Sequence, residues 1–339
     1  MSRQDRQRRQ GLSIGLAMGT LLLAAAGLAA GSEGWSLARL VQTWSGPDGA
    51  LIIGQIRAPR TLGAWLTGAL LGLAGATAQG LFRNPLADPY LLGSASGASL
   101  GVVLVLAASA LGGHEIGLAT ADTLARFGLV SAASTGAMLG VLLTLTLARG
   151  AHQTTRLLLA GVVVGVVLAA ISDLVVTAAP DALRGRQAFL LGSTGFLGWS
   201  NCAALAIGLA LTLPLGWRLA RALDALTLGA DSARSLGLAL PRIRLALVAA
   251  LALATGLAVS QAGLIAFVGL VAPHLVRRFA PATHGFTLVA SAAAGGTLLL
   301  LADVLARSLI APQEVPVGVL TALLGGGYLI WLLHRRRAP

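Results

Sequence analysis

Lysine is absent from this sequence of 339 residues, so all 24 basic residues are arginines. A nucleotide-binding P-loop of the form GxxxxGK[ST] needs a lysine to reach the phosphates, so the chain cannot be a P-loop ATPase by itself. Cysteine is nearly absent too, because Cys202 is the only one. A lone cysteine excludes an intrachain disulfide and a cysteine-based metal site, and we interpret Cys202 as a small packing residue.

Charge is scarce as well, since 11% of the residues are charged while 56% are hydrophobic. The mean hydropathy is +0.83, and the chain contains 44 glycines. This composition indicates a polytopic membrane protein, because a soluble core could not hide so much apolar surface. The net charge of +12 could suggest nucleic acid as a partner. The arginines lie between apolar runs instead of on one soluble domain, so we expect a lipid bilayer as partner and no nucleic acid.

Long apolar runs divide the chain into candidate membrane crossings, each of which needs about 20 residues. The run 245–276 is too long for one crossing, and Gln261-Ala262-Gly263 offers a polar, flexible break near its centre. Dividing it there predicts an all-α fold with ten crossings or half-crossings in a single domain, 1–339. The first run lacks the cleavage site of a signal peptide, so we expect a retained helix. The runs are 12–31, 61–81, 91–113, 127–148, 157–179 with Asp173 inside it, 187–217, 245–276, 285–302 and 315–333.

The arginines also predict the orientation of the chain, because cytoplasmic loops carry the excess of positive charge. Four arginines lie in the N-terminal tail, 1–11, and three more lie in the C-terminal tail, 334–339. Both termini are therefore predicted to be cytoplasmic, which requires an even number of crossings. We expect Arg39 and Arg126, on the outer side, to be solvated or paired with lipid headgroups. The other arginines predicted to lie outside are Arg57, Arg60, Arg184, Arg186 and Arg307.

The segment "IRAPRTLGAW", residues 56–65, places two of these outer arginines just before an apolar run. Helical spacing would put Arg57 and Arg60 on one face, and Pro59 suits a first helical turn. Such a rigid cationic arrangement suits carboxylates that arrive from outside.

The longest polar interruption, residues 218–244, is predicted to lie in the cytoplasm. Leucines alternate there with charged residues, as in an amphipathic helical hairpin, and Gly229 and Gly237 punctuate it. We expect a partner protein to dock on this region. The alternative is a helix that lies along the membrane surface.

Four long segments resemble the FecCD family, the permease subunits of type II ABC importers for ferric siderophores, haem and cobalamin. The resemblance runs from about Leu51 to Leu333, with the same order and spacing. The segments are "APRTLGAWLTGALLGLAGATAQGLFRNPLADPYLLGSASGAS", "LTLGADSARSLGL", "GLIAFVGLVAPHLVRR" and "LADVLARSLIAPQEVPVGVLTALLGGGYLIWLL".

The resemblance implies a homodimer of ten-helix subunits in the bacterial inner membrane. It further implies two cytoplasmic ATPase subunits, which would bind ATP and Mg²⁺, and a periplasmic binding protein that delivers the ligand. This chain would then be a permease subunit without enzyme activity and without a cofactor, metal or catalytic residue of its own. We expect an iron chelate, haem or a ferric siderophore, as the substrate, with cobalamin as the alternative.

Site residues follow from the same resemblance. The segment from Leu226 to Leu238 matches the coupling helices that fit a cleft in each ATPase, and the contact positions there would be Leu226, Gly229, Asp231, Arg234 and Gly237. The arginines that receive acidic side chains of the binding protein would be Arg57, Arg60 and Arg307.

Asp173 is the acidic residue placed well inside a candidate crossing, where carboxylates are costly and often functional. A proton relay is one interpretation, and a hydrogen-bonded structural role beside Ser172 is the one that we favour. Arg184 and Arg186, beyond this crossing on the outer side, are expected either to meet ligand carboxylates or to lie on the surface. With Asp173 they form the candidate substrate pathway.

Two further expectations concern isolated polar residues. Asp303 and Arg307 have the i,i+4 spacing of a helical ion pair. His274 stands without a second nearby His or Cys, so we expect a packing or capping role.

Two other classes of function remain as alternatives. An ion-coupled secondary transporter usually carries ionisable groups near the midplane of the membrane, and Asp173 alone would fit that description. A membrane-embedded enzyme would need a cluster of His, Asp or Glu at one level, and the sequence shows none.

Overall fold

The computed structural model describes residues 3–31, 34–35, 49–112, 123–149 and 154–335. Helices account for nearly all of these residues. In chain order they are α1 (Arg3–Ala29), α2 (Ala58–Phe82), α3 (Ser94–Leu111), α4 (Thr123–Leu147), α5 (Thr154–Ala178), α6 (Ala182–Leu191), α7 (Trp199–Thr227), α8 (Ala230–Ser235), α9 (Leu240–Ala262), α10 (Val268–Phe279), α11 (His284–Ser308) and α12 (Val317–Arg335).

Short elements connect some of these helices. A helical turn at Gly49–Leu51 and a π-helical turn at Ile52–Arg57 lead directly into α2, and a 3₁₀ turn at Pro89–Leu92 precedes α3. Two strands of two residues each, β1 (Ala30–Gly31) and β2 (Gly34–Trp35), pair antiparallel after α1.

Eight helices in the described part of the chain are long and apolar enough to cross a membrane. They are α1, α2 with its π-helical turn, α3, α4, α5, α7, α9 and α11. The apolar part of α12 is shorter, at Val317–Leu332. With 12 residues, α10 reaches about 18 Å, roughly half of the hydrocarbon thickness. The predicted all-α membrane fold with ten crossings or half-crossings is therefore confirmed.

The structure interrupts two of the apolar runs, 245–276 and 187–217, and only the first interruption was predicted. The predicted break in 245–276 is confirmed, because α9 ends at Ala262 and Gly263 caps it with a positive φ of 71°. The expectation of one crossing at 187–217 is wrong. There α6 ends at Leu191, Gly192 caps it with a positive φ, and α7 begins only at Trp199. A glycine in this conformation stops a helix without the steric penalty of a Cβ atom.

The two breaks face each other, and each supplies hydrogen-bond partners to the other. The Ser193 backbone N–H donates to the Ala262 carbonyl (2.8 Å), and the Leu264 N–H donates to the Phe189 carbonyl (2.9 Å). The Tyr90 hydroxyl, from the 3₁₀ turn, donates to the Ile265 carbonyl (3.1 Å). Non-helical backbone is tolerated at membrane depth only where protein satisfies its polar groups, and these contacts do so.

The 3₁₀ turn is itself fixed by a partly buried carboxyl group. Asp88 Oδ1 accepts a hydrogen bond from the Tyr90 N–H (2.8 Å) at the start of the turn. Burial raises the pKa of the Asp88 carboxyl above its ordinary value, and the hydrogen bond from Tyr90 opposes that shift.

The core is built around α2, which is buried along most of its length. Small residues allow its backbone to touch two other helices. A Cβ atom added at Gly68 or Gly72 would overlap backbone atoms of α11, and one added at Gly75 would overlap the carbonyl of Gly269 in α10. Close backbone approach through small residues is a common means of packing helices in membranes.

Contacts between α1 and α11 define the two ends of the molecule. Arg9 lies 5.5 Å from the ring centroid of Phe286, near the start of α11, while Arg307, at its end, donates to the Gly27 carbonyl (2.9 Å). The two helices are therefore parallel. We call the end with Arg9 the inner end and the end with Arg307 the outer end. Because α12 returns from the outer end, Arg335 lies at the inner end together with Arg9.

Candidate functional site

At the outer end, a buried carboxylate collects three polar side chains. Asp303 of α11 is fully buried. Its Oδ1 accepts hydrogen bonds from Arg60 Nε (3.0 Å) and from the Thr194 hydroxyl (2.6 Å). Its Oδ2 accepts from Arg307 Nη2 (2.5 Å), so the predicted i,i+4 pair is present. These residues, with Glu314, form what we call the Asp303 cluster.

Arg60 uses both sides of its guanidinium group in this cluster. Nε faces Asp303, while Nη1 and Nη2 each donate to one carboxylate oxygen of Glu314, both at 2.8 Å. The Arg60 side chain is 11% exposed, and that of Glu314 is 40% exposed. This bidentate pair therefore lies at the rim of the buried cluster, with Glu314 on the side of the solvent.

Arg307 is more deeply placed than the sequence led us to expect. It is only 3% exposed, because its Nη1 donates to the carbonyls of Gly27 (2.9 Å) and Ala30 (3.3 Å) in addition to its pairing with Asp303. In this conformation its guanidinium group does not form part of an outer surface. Its contacts instead hold the end of α1 against α11.

Arg57 and Arg60 lie three positions apart at the start of α2, and their side chains have different partners. Arg57 lies in the π-helical turn, whereas Arg60 lies in the first turn of α2, with Pro59 at the helix start as predicted. Arg57 Nη1 donates to the Leu28 carbonyl (3.0 Å) at the C-terminal end of α1. The half-buried guanidinium thus faces the negative end of a helix dipole.

Two residues of the Asp303 cluster were missed in the sequence. Glu314 follows α11 in a connection expected outside, and Thr194 lies in the run assigned to one crossing. The available signal was the single acid of "LIAPQEVP", placed just beyond the helix that carries Asp303 and Arg307.

The candidate pathway residues lie on α5 and α6. Asp173 Oδ1 pairs with Arg186 Nη1 (2.6 Å), and the Asp173 side chain is 63% exposed. Ser172 is not its partner, since the Ser172 hydroxyl donates to the Leu168 carbonyl within α5. Arg184 is exposed. The carboxylate thus links the end of α5 to α6.

At the inner end, α8 forms a short helical tip between α7 and α9. Gly229 precedes it with φ 107°, and Gly237 follows it with φ 78°. Asp231 and Arg234 form an exposed i,i+3 ion pair on α8 (2.7 Å). Leu226 is buried at the end of α7, so it supports the tip from within. The expected hairpin is therefore made of α7 and α9, with α8 as its turn and with exposed leucines on both sides, Leu228 and Leu236.

Two polar links connect this inner end to α10 and α11. Asp224 of α7 pairs with His284, the first residue of α11. Gln79 of α2 donates to the Leu270 carbonyl of α10 (3.2 Å) and accepts from Arg277. Neither link was found from the sequence, since each joins elements that are far apart along the chain.

Cys202 and His274 have the roles that the sequence predicted. Cys202 is buried and donates to the Pro59 carbonyl (3.0 Å), and His274 packs edge-on against Tyr328, so both are packing residues as predicted. Arg39 and the side chain of Arg126 lie outside the described residues. Within the described ranges, no group of three His, Cys, Asp or Glu side chains is arranged to hold a metal ion.

Comparison with known proteins gives consistent matches over most of the chain. A profile described as the FecCD transport family matches residues 19–335. The hemin transport system permease protein HmuU of Yersinia pestis is 41% identical over 287 residues, which cover 84% of this chain and 83% of that protein. The vitamin B12 import system permease protein BtuC of Shigella boydii is 39% identical over 336 residues, or 98% of both chains.

A solved structure agrees with the fold as well. A metal-chelate type ABC transporter in an inward-facing conformation superposes with a TM-score of 0.80 and 26% sequence identity. The superposition covers 95% of this chain and 98% of that chain.

Proposed function

This chain belongs to the FecCD transport family, and from that premise we propose that it is the permease subunit of a binding-protein-dependent importer for an iron chelate. The fold is that of a type II ABC transporter permease. The proposed substrate is haem or a ferric siderophore, and the proposed location is the bacterial inner membrane. The hemin permease among the relatives supports this choice of substrate.

Cobalamin is the second candidate substrate. The relative from Shigella boydii, named as a vitamin B12 permease, is nearly as similar as the hemin permease and covers more of the chain. An ion-coupled secondary transporter is a distant alternative. The ion pair of Asp173 with Arg186 favours a structural role for this carboxylate, which is the ionisable residue on which that alternative depends.

The energy source in this proposal is ATP hydrolysis on two separate subunits, which bind ATP and Mg²⁺. The observation that supports separate ATPase subunits is α8. This short charged helix lies at the inner end between two glycines of positive φ. We propose that α8 and the glycines beside it fit a cleft in each ATPase. Asp231 and Arg234 offer charged contacts, and Leu226 anchors the segment in the permease.

A second copy of this chain would complete the pathway as a homodimer, and a periplasmic binding protein would deliver the ligand to the outer end. We propose Arg57 and Arg60 as the cations that meet acidic side chains of that protein. Arg307 would act indirectly, because it is buried and holds Asp303 against Arg60. Arg184 and Arg186, at the outer end of the pathway, would face the arriving ligand.

Reconstitution tests the proposal as a whole. We would place this chain with its ATPase in proteoliposomes, add the binding protein loaded with haem, a ferric siderophore or cobalamin, and measure uptake with and without ATP. ATP-dependent uptake of an iron chelate is the expected result. Uptake of cobalamin alone would assign the second candidate, and uptake that follows a proton gradient without ATP would overturn the importer.

A further inference from the structure

The proposed docking cation Arg60 is already occupied in this structure. A guanidinium group has five N–H donors in a fixed fork. In Arg60 the inner donor, Nε, faces the buried Asp303, and the two outer groups, Nη1 and Nη2, are both engaged by Glu314. The edge formed by Nη1 and Nη2 of a guanidinium group binds one carboxylate at a time. An acidic side chain that arrives from outside would therefore meet Glu314 at that edge.

Glu314 lies on the connection between α11 and α12, at the exposed side of the Asp303 cluster. It belongs to residues 309–316, between α11 and α12, and its neighbour Val315 is tied to α11 by a backbone hydrogen bond to the Ala306 carbonyl (3.0 Å). The Glu314 side chain is the most exposed member of the Asp303 cluster, at 40%. Displacing it would not require water to enter the buried pair of Asp303 and Arg307.

The loop that follows α6 passes over the same ion pair. A Cβ atom added at Gly195 would lie 3.7 Å from Arg60 Nη1 and 3.8 Å from Glu314 Oε2. One residue earlier, Thr194 donates its hydroxyl hydrogen to Asp303. Arg60 thus bonds to the end of α11 and to the connection before α12, and the loop after α6 lies against the same ion pair.

We propose that Glu314 is an internal occupant of the docking site, and that a carboxylate of the binding protein exchanges with it on Arg60. This inference rests on the proposed docking function of Arg60. Before docking, Glu314 keeps a nearly buried cation paired, since an unpaired buried charge is strongly unfavourable. On docking, the incoming carboxylate takes over Nη1 and Nη2, and Asp303 remains the inner counter-ion. The connection 309–316 is thereby released from Arg60, so that docking reaches both α12 and the loop after α6.

The test removes the internal occupant. Glu314→Gln would be compared with the unaltered chain in the assembled transporter in lipid nanodiscs, and the association rate and Kd of its binding protein would be measured at low and high salt. Because an ion pair that reaches solvent at a rim is worth up to about 1 kcal/mol, the expected gain in affinity is up to about fivefold. The gain should shrink at high salt. Asp181→Asn is the matched control, since it neutralises another exposed carboxylate at the outer end.

Further variants separate the possible outcomes. Glu314→Ala should act in the same direction as Glu314→Gln, and neither should accelerate docking when Arg60→Gln is also present. If Arg57→Glu with Arg60→Glu docks as fast as the unaltered chain at low salt, the docking function itself is overturned. If Arg60 is required but Glu314→Gln leaves affinity unchanged or lowers it, docking stands and the exchange does not.

Discussion

His284 and Asp224 are joined by two contacts from one carboxylate oxygen. Asp224 Oδ1 accepts a hydrogen bond from the His284 backbone N–H (3.0 Å) and lies 2.6 Å from the ring Nδ1. Asp224 lies in the last turn of α7, just before α8, while His284 starts α11 directly after the half-helix α10. This pair therefore connects the proposed coupling segment to α11, the helix that follows the half-helix α10.

We predict that His284→Ala lowers uptake and the ATPase activity stimulated by the binding protein, while the chain still inserts and assembles. A hydrogen bond to a charged group contributes about 1.5–3 kcal/mol, so its loss should weaken the connection between α7 and α11 about tenfold or more. His284→Asn keeps a side-chain donor and should recover part of the activity. His334→Ala, at the exposed end of α12, is the control. Equal loss in the Ala and Asn variants would mean that the ring only fills space.

Local features of the sequence were sufficient to predict most crossings. The length of an apolar run is a property of adjacent residues, so it could predict α2, α3 and α5 without knowledge of their neighbours. The excess length of 245–276 even predicted the break after Ala262. The i,i+4 pairing of Asp303 with Arg307 was predictable for the same reason, because both residues lie on one helix.

Features that depend on distant contacts were not predictable in this way. The break at Gly192 interrupts a run without charges, and the polar groups that satisfy it come from Ala262 and Leu264, in another part of the chain. Likewise, Arg60 and Glu314 are 254 positions apart, so no spacing rule could pair them. The separate partners of Arg57 and Arg60 were not predictable for the same reason, because Arg57 contacts the Leu28 carbonyl of α1 while Arg60 contacts Asp303 and Glu314.

The contact of α2 with α10 predicts a strong effect at Gly75. Gly75→Ala would bring a methyl group into the backbone carbonyl of Gly269, which cannot move without shifting α10. Overpacking of this kind typically destabilises by about 1–3 kcal/mol. We expect a lower thermal unfolding temperature in detergent. Gly15→Ala, on α1, has open space around the added atom and should leave that temperature unchanged or slightly higher. Equal unfolding temperatures for both variants would contradict the packing.

The ion pair between α5 and α6 predicts a mild phenotype. Asp173→Asn keeps the size and polarity of the side chain, and the carboxylate that it replaces is 63% exposed, so most uptake should remain. Arg186→Gln should resemble it. Uptake would be measured from mildly acidic to mildly alkaline pH. Loss of uptake together with loss of its pH dependence would restore the proton relay that we consider the weaker interpretation.

The tip at α8 predicts that coupling can be lost while the permease stays folded. Arg234→Glu changes an exposed side chain whose partner, Asp231, is also exposed, so stability should change by less than about 1 kcal/mol. Gly237→Trp places a large side chain beside the exposed Leu236, at a residue with φ 78°, and this backbone conformation adds about 1–2 kcal/mol of strain.

Both variants should insert and dimerise, yet lose the increase in ATP hydrolysis that the binding protein produces. Arg6→Glu, an equal change of charge in the exposed first turns of α1, is the control. The measurements are stimulated and basal ATPase activity in nanodiscs, with size-exclusion chromatography as the test of assembly. Stimulated activity that stays at the level of the unaltered chain in both variants would show that the ATPase does not contact α8, and the cleft would have to be sought on another inner loop.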